Sequence, residues 1–337
     1  MVPMTTIRGW GNFPRMVEEM ASAKALRTIL RRHDLPLSVL CAPDRRIPLA
    51  KMIRVIEAAG RTVGCDEFGV QLGARTTAQH YGPWAGFAYC APNLGQALKR
   101  VCATLPAHEI GSRMYLAEHK DHLVWCYESG LAKVETVRHF TDHLFETVLV
   151  FFRGFLGANW RPDWVEVDYD QPAKIDRLEA LVDAKILFGR PNFGVAVRKT
   201  DLEARLVSGL PFTRPLLSLD LKTSQDRTNA ERCDGLLEVI DLRLMDGEVD
   251  LDGCAKVIDI GPRTLQRKLA KRGLTYQDLL ENARRRRAIA FLSETDLPVK
   301  TIAMELGYTE PENFTRAFRK WQNVTPTDFR SKAVDTS

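Results

Sequence analysis

Apolar residues recur at helical spacing through the last quarter of the chain, in two similar blocks. In the first, Val249 to Ile258 reads as a short helix capped by Asp250, and Asp259 and Ile260 turn the chain. Gly261 and Pro262 then open GPRTLQRKLAKR, with Gly suited to a cap and Pro to the first helical position. Leu265 and Leu269 face inward, while Arg263, Gln266 and Arg267 face outward. In the second block, Ile302, Ala303 and Leu306 make a short helix that stops at Gly307, a residue suited to the left-handed conformation that ends helices. Thr309 and Glu312 stand in capping-box spacing with Pro311 between them. The next helix buries Phe314, Ala317, Phe318 and Trp321, and leaves Glu312, Asn313, Arg316, Arg319 and Lys320 outside. Each block is thus a helix-turn-helix whose second helix has one anchored face and one face of hydrogen-bonding side chains. Between them, Thr275 caps a helix from Tyr276 to about Ser293. At ~1.5 Å per residue, about 18 residues span roughly 27 Å. That is compatible with two recognition helices in successive major grooves about 34 Å apart.

Upstream the pattern is mixed. Residues 1 to about 15 show no periodicity and are expected to be poorly structured. From Pro14 the spacing predicts helices in MVEEMASAKALRTILRR, PLAKMIRVIEAAGRT and DEFGVQLGART, then one from Leu94 to Leu105. Tyr81-Gly82-Pro83 and Ala91-Pro92-Asn93 are turn signals. IGSRMYLAEH and HLVWCYESG alternate around Lys120-Asp121 and predict a β-hairpin. A long helix follows from about Val134 to Gly157, then a strand in WVEVDYD, a segment of mixed character in ALVDAKILFG and a last strand in FGVAVRK. Periodicity is lost over LLSLDLKTSQDR, which reads as a linker, and NAERCDGLLEVIDLRLMDG is an amphipathic helix that packs under the first helix-turn-helix. The fold class is therefore an α+β N-terminal domain, residues 1–215, a linker at 216–228, and an all-α domain, 229–332, with two helix-turn-helix units joined by a connector helix.

Charge sharpens this division. The chain of 337 residues carries a net charge of +5, yet Leu251 to Val334 holds 16 Lys and Arg against 10 Asp and Glu. Residues up to Asp250 hold 32 of each sign, so the excess sits with the helix-turn-helix units, as expected for a nucleic-acid-binding domain beside a neutral partner domain. The seven cysteines show neither C-x-x-C nor zinc spacing and read as reduced thiols. No apolar run approaches the ~18 residues of a membrane span, and no signal peptide opens the chain, which places the protein in the cytoplasm.

The motifs PRTLQRKL, LLENARRRRAIAFL, IAMELGYTEPENFTRAFRKW and VTPTDFR, in this order, resemble the DNA-binding domain of AraC/XylS family transcription regulators. The pieces DEFGVQLG, HYGPWAGFAYCAPNLGQALKR and the hairpin after them resemble the arabinose-binding-type N-terminal domain of the branch that includes ornithine-type regulators. The resemblance implies a transcription regulator, an activator, whose partners are double-stranded promoter DNA, RNA polymerase, a small-molecule effector of unknown identity and a second copy of the chain. It also implies base contacts on the two recognition faces.

Arginine donates bidentately to guanine and glutamine bridges adenine. Arg263, Gln266 and Arg267 are thus the expected base readers of the first unit, and Glu312, Asn313 and Arg316 those of the second. Lys268, Arg284, Arg319 and Lys320 are expected at phosphates, and Arg285 to Arg287 on a solvated surface. Trp84, Tyr89, Arg113, Tyr115 and Trp125 are candidates for an effector pocket, the plainer alternative for the hairpin aromatics being core; Arg113 and His108 could meet an anionic effector, the plainer alternative being a solvated strand face. No catalytic motif is present: no G-x-S-x-G, no P-loop and no dinucleotide fingerprint. His139 and His143 lie four apart on one helix, but no third ligand is indicated, so neither metal nor cofactor is expected. The alternative is a metabolite-binding protein or enzyme with an accessory DNA-binding tail, which a nucleophilic cysteine in a compact motif would favour; none is found.

Overall fold

A computed structural model describes residues 2–131, 137–172, 175–207, 209, 236–244, 249–294 and 297–334. They fall into two units. The first comprises Met1–His33 and Ala42–Ala230, the second Asp34–Cys41 and Glu231–Ser337. The predicted linker, 216–228, lies outside the described residues.

In the first unit the N-terminal segment is ordered, contrary to expectation. Strand β1 (Met4–Thr6) pairs antiparallel with β2 (Arg46–Pro48) and β3 (Glu109–Ile110). Met4, Trp10 and Phe13 are fully buried. The strand has three residues and is buried on both faces, so no alternation marks it in sequence. Helix α1 (Phe13–Met20) and α2 (Ala23–Arg32) replace the single predicted helix. Ser22 separates them because its hydroxyl accepts from the Ala25 amide and caps α2.

Helices α3 (Leu49–Val63), α4 (Phe68–Ala74), α5 (Pro83–Tyr89) and α6 (Leu94–His108) follow, with Asn93 capping α6. The predicted hairpin is β4 (Arg113–His119) and β5 (His122–Glu128), with Lys120 at φ 48° in its turn. Helix α7 (Arg138–Leu156) packs closely on α4. Gly69 and Gly73 make that approach possible, since a Cβ at either would collide with the carbonyl oxygen of His139 or His143. Strand β6 (Val165–Glu166), helix α8 (Ile175–Val182), and strands β7 (Ile186–Leu187) and β8 (Phe193–Arg198) complete the unit. The sheet order is β4-β5-β8-β6-β7, so the last strand in sequence lies at the centre.

The second unit is helical: α9 (Leu236–Leu244), α10 (Leu251–Val257), α11 (Pro262–Ala270), α12 (Tyr276–Glu294), α13 (Val299–Glu305), α14 (Pro311–Gln322) and α15 (Pro326–Val334). Its second helix-turn-helix closes on a core of Ala288, Leu292, Ile302, Ala303, Leu306, Phe314 and Phe318, with Trp321 and Phe329 packed against it.

Candidate DNA interface and effector cavity

The first helix-turn-helix is built by local rules. Asp250 accepts from the Gly253 amide at 2.6 Å and caps α10, and Arg243 on α9 binds its other oxygen at 2.6 Å. Asp259 takes a left-handed φ of 54° in the turn, and Gly261 caps α11. Leu265 and Leu269 are buried, and Arg263, Gln266, Arg267 and Lys268 are exposed along the opposite face. Thr275 and Asp278 then form a reciprocal cap on α12, the Thr hydroxyl accepting from the Asp278 amide and the Asp carboxylate accepting from the Thr275 amide.

In the second unit Gly307 has φ 71° and ends the short helix α13. The predicted capping box is absent: the cap residue is Glu310, one position after Thr309, and no side chain bonds there. Glu312 is therefore free of that duty and exposed. Phe314 and Phe318 are buried, Ala317 and Trp321 only partly. The Trp321 indole donates to Glu281 on α12 at 2.6 Å, which helps fix the tilt of α14. Asn313, Arg316, Arg319 and Lys320 are exposed. Arg316 donates to the Asn313 side chain, and Lys320 pairs weakly with Glu281 at 3.4 Å. The connector α12 has 19 residues, a length of roughly 28 Å.

Arg284 departs from its expected place at a phosphate. Its Nε donates to the Leu306 carbonyl at 2.8 Å and its Nη2 to the Gly307 carbonyl at 3.0 Å, while the guanidinium lies 4.3 Å from the Tyr308 ring centroid. These are carbonyls a helix end leaves without amide partners. Arg284 thus holds the turn of the second unit from within. Arg286 and Arg287 are likewise not merely solvated: both reach Asp241 on α9, the first by an ion pair at 3.0 Å, the second through the backbone carbonyl at 3.3 Å.

In the first unit, a cavity of about 110 Å³ opens between β1, α5, α6, the hairpin and α7. Trp84, Tyr89 and Trp125 line it, as the sequence suggests, and so does His108. Arg113 and Tyr115 do not. Arg113 is exposed, paired with Glu128 at 2.5 Å and stacked over Tyr115, whose hydroxyl accepts from Asn192 at 2.8 Å. On an alternating strand these side chains lie on the face away from Met114, which does line the cavity. Sequence reasoning missed Tyr81, Glu109, Phe140, His143 and Phe151, drawn from three separate elements.

The wall's ionisable groups are held near neutrality. Burial pushes His108 down to about 3, helped by the nearby Arg46 and Arg8, and burial pushes His143 down to about 4. Burial raises the Glu109 carboxyl, which accepts from the Tyr127 hydroxyl at 2.7 Å. His143 Nδ1 bonds the Phe140 carbonyl, while His139 packs edge-on against Phe68. His143 is buried in the helix packing and His139 is partly buried.

The fold and these two sites define a class: a double helix-turn-helix DNA-binding protein with a cavity-bearing domain ahead of it. Comparison with known proteins makes this particular. Residues 25–206 match the arabinose-binding domain of AraC transcription regulators, N-terminal, and residues 254–332 match a helix-turn-helix domain. The chain belongs to the AraC family and is a DNA-binding transcription regulator. It is similar to the HTH-type transcriptional regulator VirS of Mycobacterium tuberculosis, 25% identical over 307 residues, covering 90% of this chain and 89% of that protein. It is also similar to the ornithine utilization regulator of Pseudomonas aeruginosa, 24% identical over 314 residues, 87% and 86% covered. The crystal structure of the regulator CdpR from Pseudomonas aeruginosa covers 91% of this chain and 97% of its own, with 17% identity and a TM-score of 0.40. Among the described residues, no helix is long and apolar enough to cross a membrane.

Proposed function

We propose that the exposed faces of α11 and α14 read promoter bases, and that a small molecule in the first unit's cavity controls this binding. The carrying observation is that Arg263, Gln266, Arg267 and Glu312, Asn313, Arg316 stand solvent-exposed, each set on a helix whose opposite face is locked into a core. Such a helix presents its outer side chains rigidly to a major groove. Lys268, Arg319 and Lys320 flank these faces and suit phosphates. The Asn313 amide bonded to Arg316 orients that guanidinium along the face. In this reading residues 1–215 sense the effector and pair with a second copy, 216–228 link, and 229–332 bind DNA. The regulator works in the cytoplasm as an activator, with RNA polymerase as its partner. Family membership supports these last assignments.

The test separates specificity from affinity. A preferred duplex is selected from a random library, and full-length variants are titrated on it and on a scrambled duplex over a salt series. Arg267→Ala costs ~1–3 kcal/mol on the selected duplex and relaxes selection at one base pair. Lys268→Ala weakens both duplexes equally, with a slightly shallower salt dependence. Arg316 and Lys320 repeat the contrast. Equal loss on both duplexes for Arg267→Ala and Arg316→Ala would sink the base-reading assignment.

A further inference from the structure

We propose that the cavity of the first unit takes an uncharged, mainly aromatic small molecule, not a sugar, an amino acid or another ion. The proposal rests on the reading of this cavity as the effector site.

Three observations carry it. No Lys, Arg or Asp side chain is among the lining residues, so an anion meets no counter-charge. The guanidiniums that act on His108 are committed elsewhere, Arg8 to Asp44 at 2.5 Å and Arg46 to the Pro106 carbonyl at 2.6 Å. A cation fares no better, because Glu109, the one acidic side chain in the wall, is fully buried, already accepts from Tyr127, and is pushed toward its neutral form. Burying an unpaired charge here would cost several kcal/mol or more.

Several polar groups of the wall already have partners within the protein. The Thr6 hydroxyl bonds His108 Nδ1 at 2.8 Å, Thr77 bonds His80 at 2.9 Å, Thr147 donates to the His143 carbonyl at 2.9 Å, and His143 bonds the Phe140 carbonyl. A polyhydroxylated sugar would bring many donors and acceptors to a wall with few left to answer them, and each buried orphan is costly.

The wall is instead rich in rings at angles that favour another ring. Trp84 stacks on His108 at 4.8 Å between centroids, with an interplanar angle of 5°, and Tyr81 meets both edge-on. Tyr89 and Phe151 make a second edge-on pair at 5.0 Å. Offset-stacked and edge-to-face arrangements of this kind add to simple apolar burial. The wall also holds three buried polar groups that make no hydrogen bond, the indole N–H groups of Trp84 and Trp125 and the Thr5 hydroxyl. A ligand with a single carbonyl or hydroxyl oxygen beside Trp84 would supply its acceptor.

The experiment titrates the full chain with the uncharged fluorophore N-phenyl-1-naphthylamine, then competes it with 1-naphthol, L-ornithine or L-arabinose. The expected result is one saturable site per chain, displaced by 1-naphthol and left occupied by the other two. Ala85→Phe, which fills the cavity from α5, should weaken probe binding about tenfold or more while secondary structure and melting are kept. Absence of a saturable site, or displacement by L-ornithine or L-arabinose as readily as by 1-naphthol, overturns the ligand class. So does a folded Ala85→Phe protein that binds the probe like wild type. If Ala85→Phe does not fold, the wild-type competition decides alone. Affinity for the selected DNA duplex, measured with and without each bound compound, separates the two levels. Probe and 1-naphthol bound with no change in DNA affinity would leave the ligand class standing and count against effector control. L-ornithine or L-arabinose bound with altered DNA affinity would do the reverse.

Discussion

Arg284→Ala distinguishes a residue that binds DNA from one that holds the DNA-binding unit in shape. The substitution removes two hydrogen bonds from a half-buried guanidinium to the carbonyls of Leu306 and Gly307, and its contact with the Tyr308 ring. A hydrogen bond from a charged donor contributes ~1.5–3 kcal/mol, and a partly desolvated cation–π contact about 1 kcal/mol. These contacts share one side chain and do not add fully, so the loss is ~2–4 kcal/mol. It falls on the turn between α13 and α14, whose carbonyls would be left without partners. Hydrogen exchange of the full-length protein reads this directly: protection across 299–322 should drop about 30- to 900-fold, the range those energies convert to. Arg284→Lys keeps the charge but not the fork, and should fall between. In the DNA titration the salt slope should stay as in wild type, because no phosphate contact is lost. Unchanged exchange protection together with a slope shallower by ~0.9 would mean that Arg284 sits on a phosphate, and that its inward geometry is not the one that matters.

Two further outcomes concern the first unit. Gly69→Ala should destabilise it by ~1–3 kcal/mol, because the added methyl collides with the His139 carbonyl oxygen where α4 meets α7; an unchanged melting curve would refute that close approach. Asp142 is fully buried on α7, and burial raises its carboxyl from 3.8 to about 7. Between these values the native state holds a proton that the unfolded chain has released, so wild-type stability falls as pH rises through this range. Asp142→Asn lacks this dependence, so its stability relative to wild type should grow from about pH 4 to about pH 7 and level off above about pH 8; a difference constant with pH would show that Asp142 does not titrate there.

What the chain specifies locally could be read from its sequence, and what depends on distant partners could not. The caps at Asp250, Gly261 and Thr275, the stop at Gly307 and the buried faces of α11 and α14 follow from residues within four positions of each other. Helical periodicity states which face is apolar, and so which side chains remain outside. It does not state what an apolar face, or a long cationic side chain, will meet. Thus Arg284 reads as one of four exposed arginines, and only the arrival of Leu306 and Gly307, 22 and 23 positions later, turns it inward. The strand Met4–Thr6 has no alternation because tertiary neighbours cover both its faces. The central place of β8 is a matter of pairing between β5 and β6 across long stretches of chain. The cavity belongs to this second kind. Aromatic residues on the hairpin mark a sheet face that needs large side chains, but which of them face a void is set by how β1, α5, α6 and α7 close around it. That closure placed Arg113 and Tyr115 outside and drew in Tyr81, His108 and Phe140, because side chains from separate elements define a cavity only once packing has brought them together.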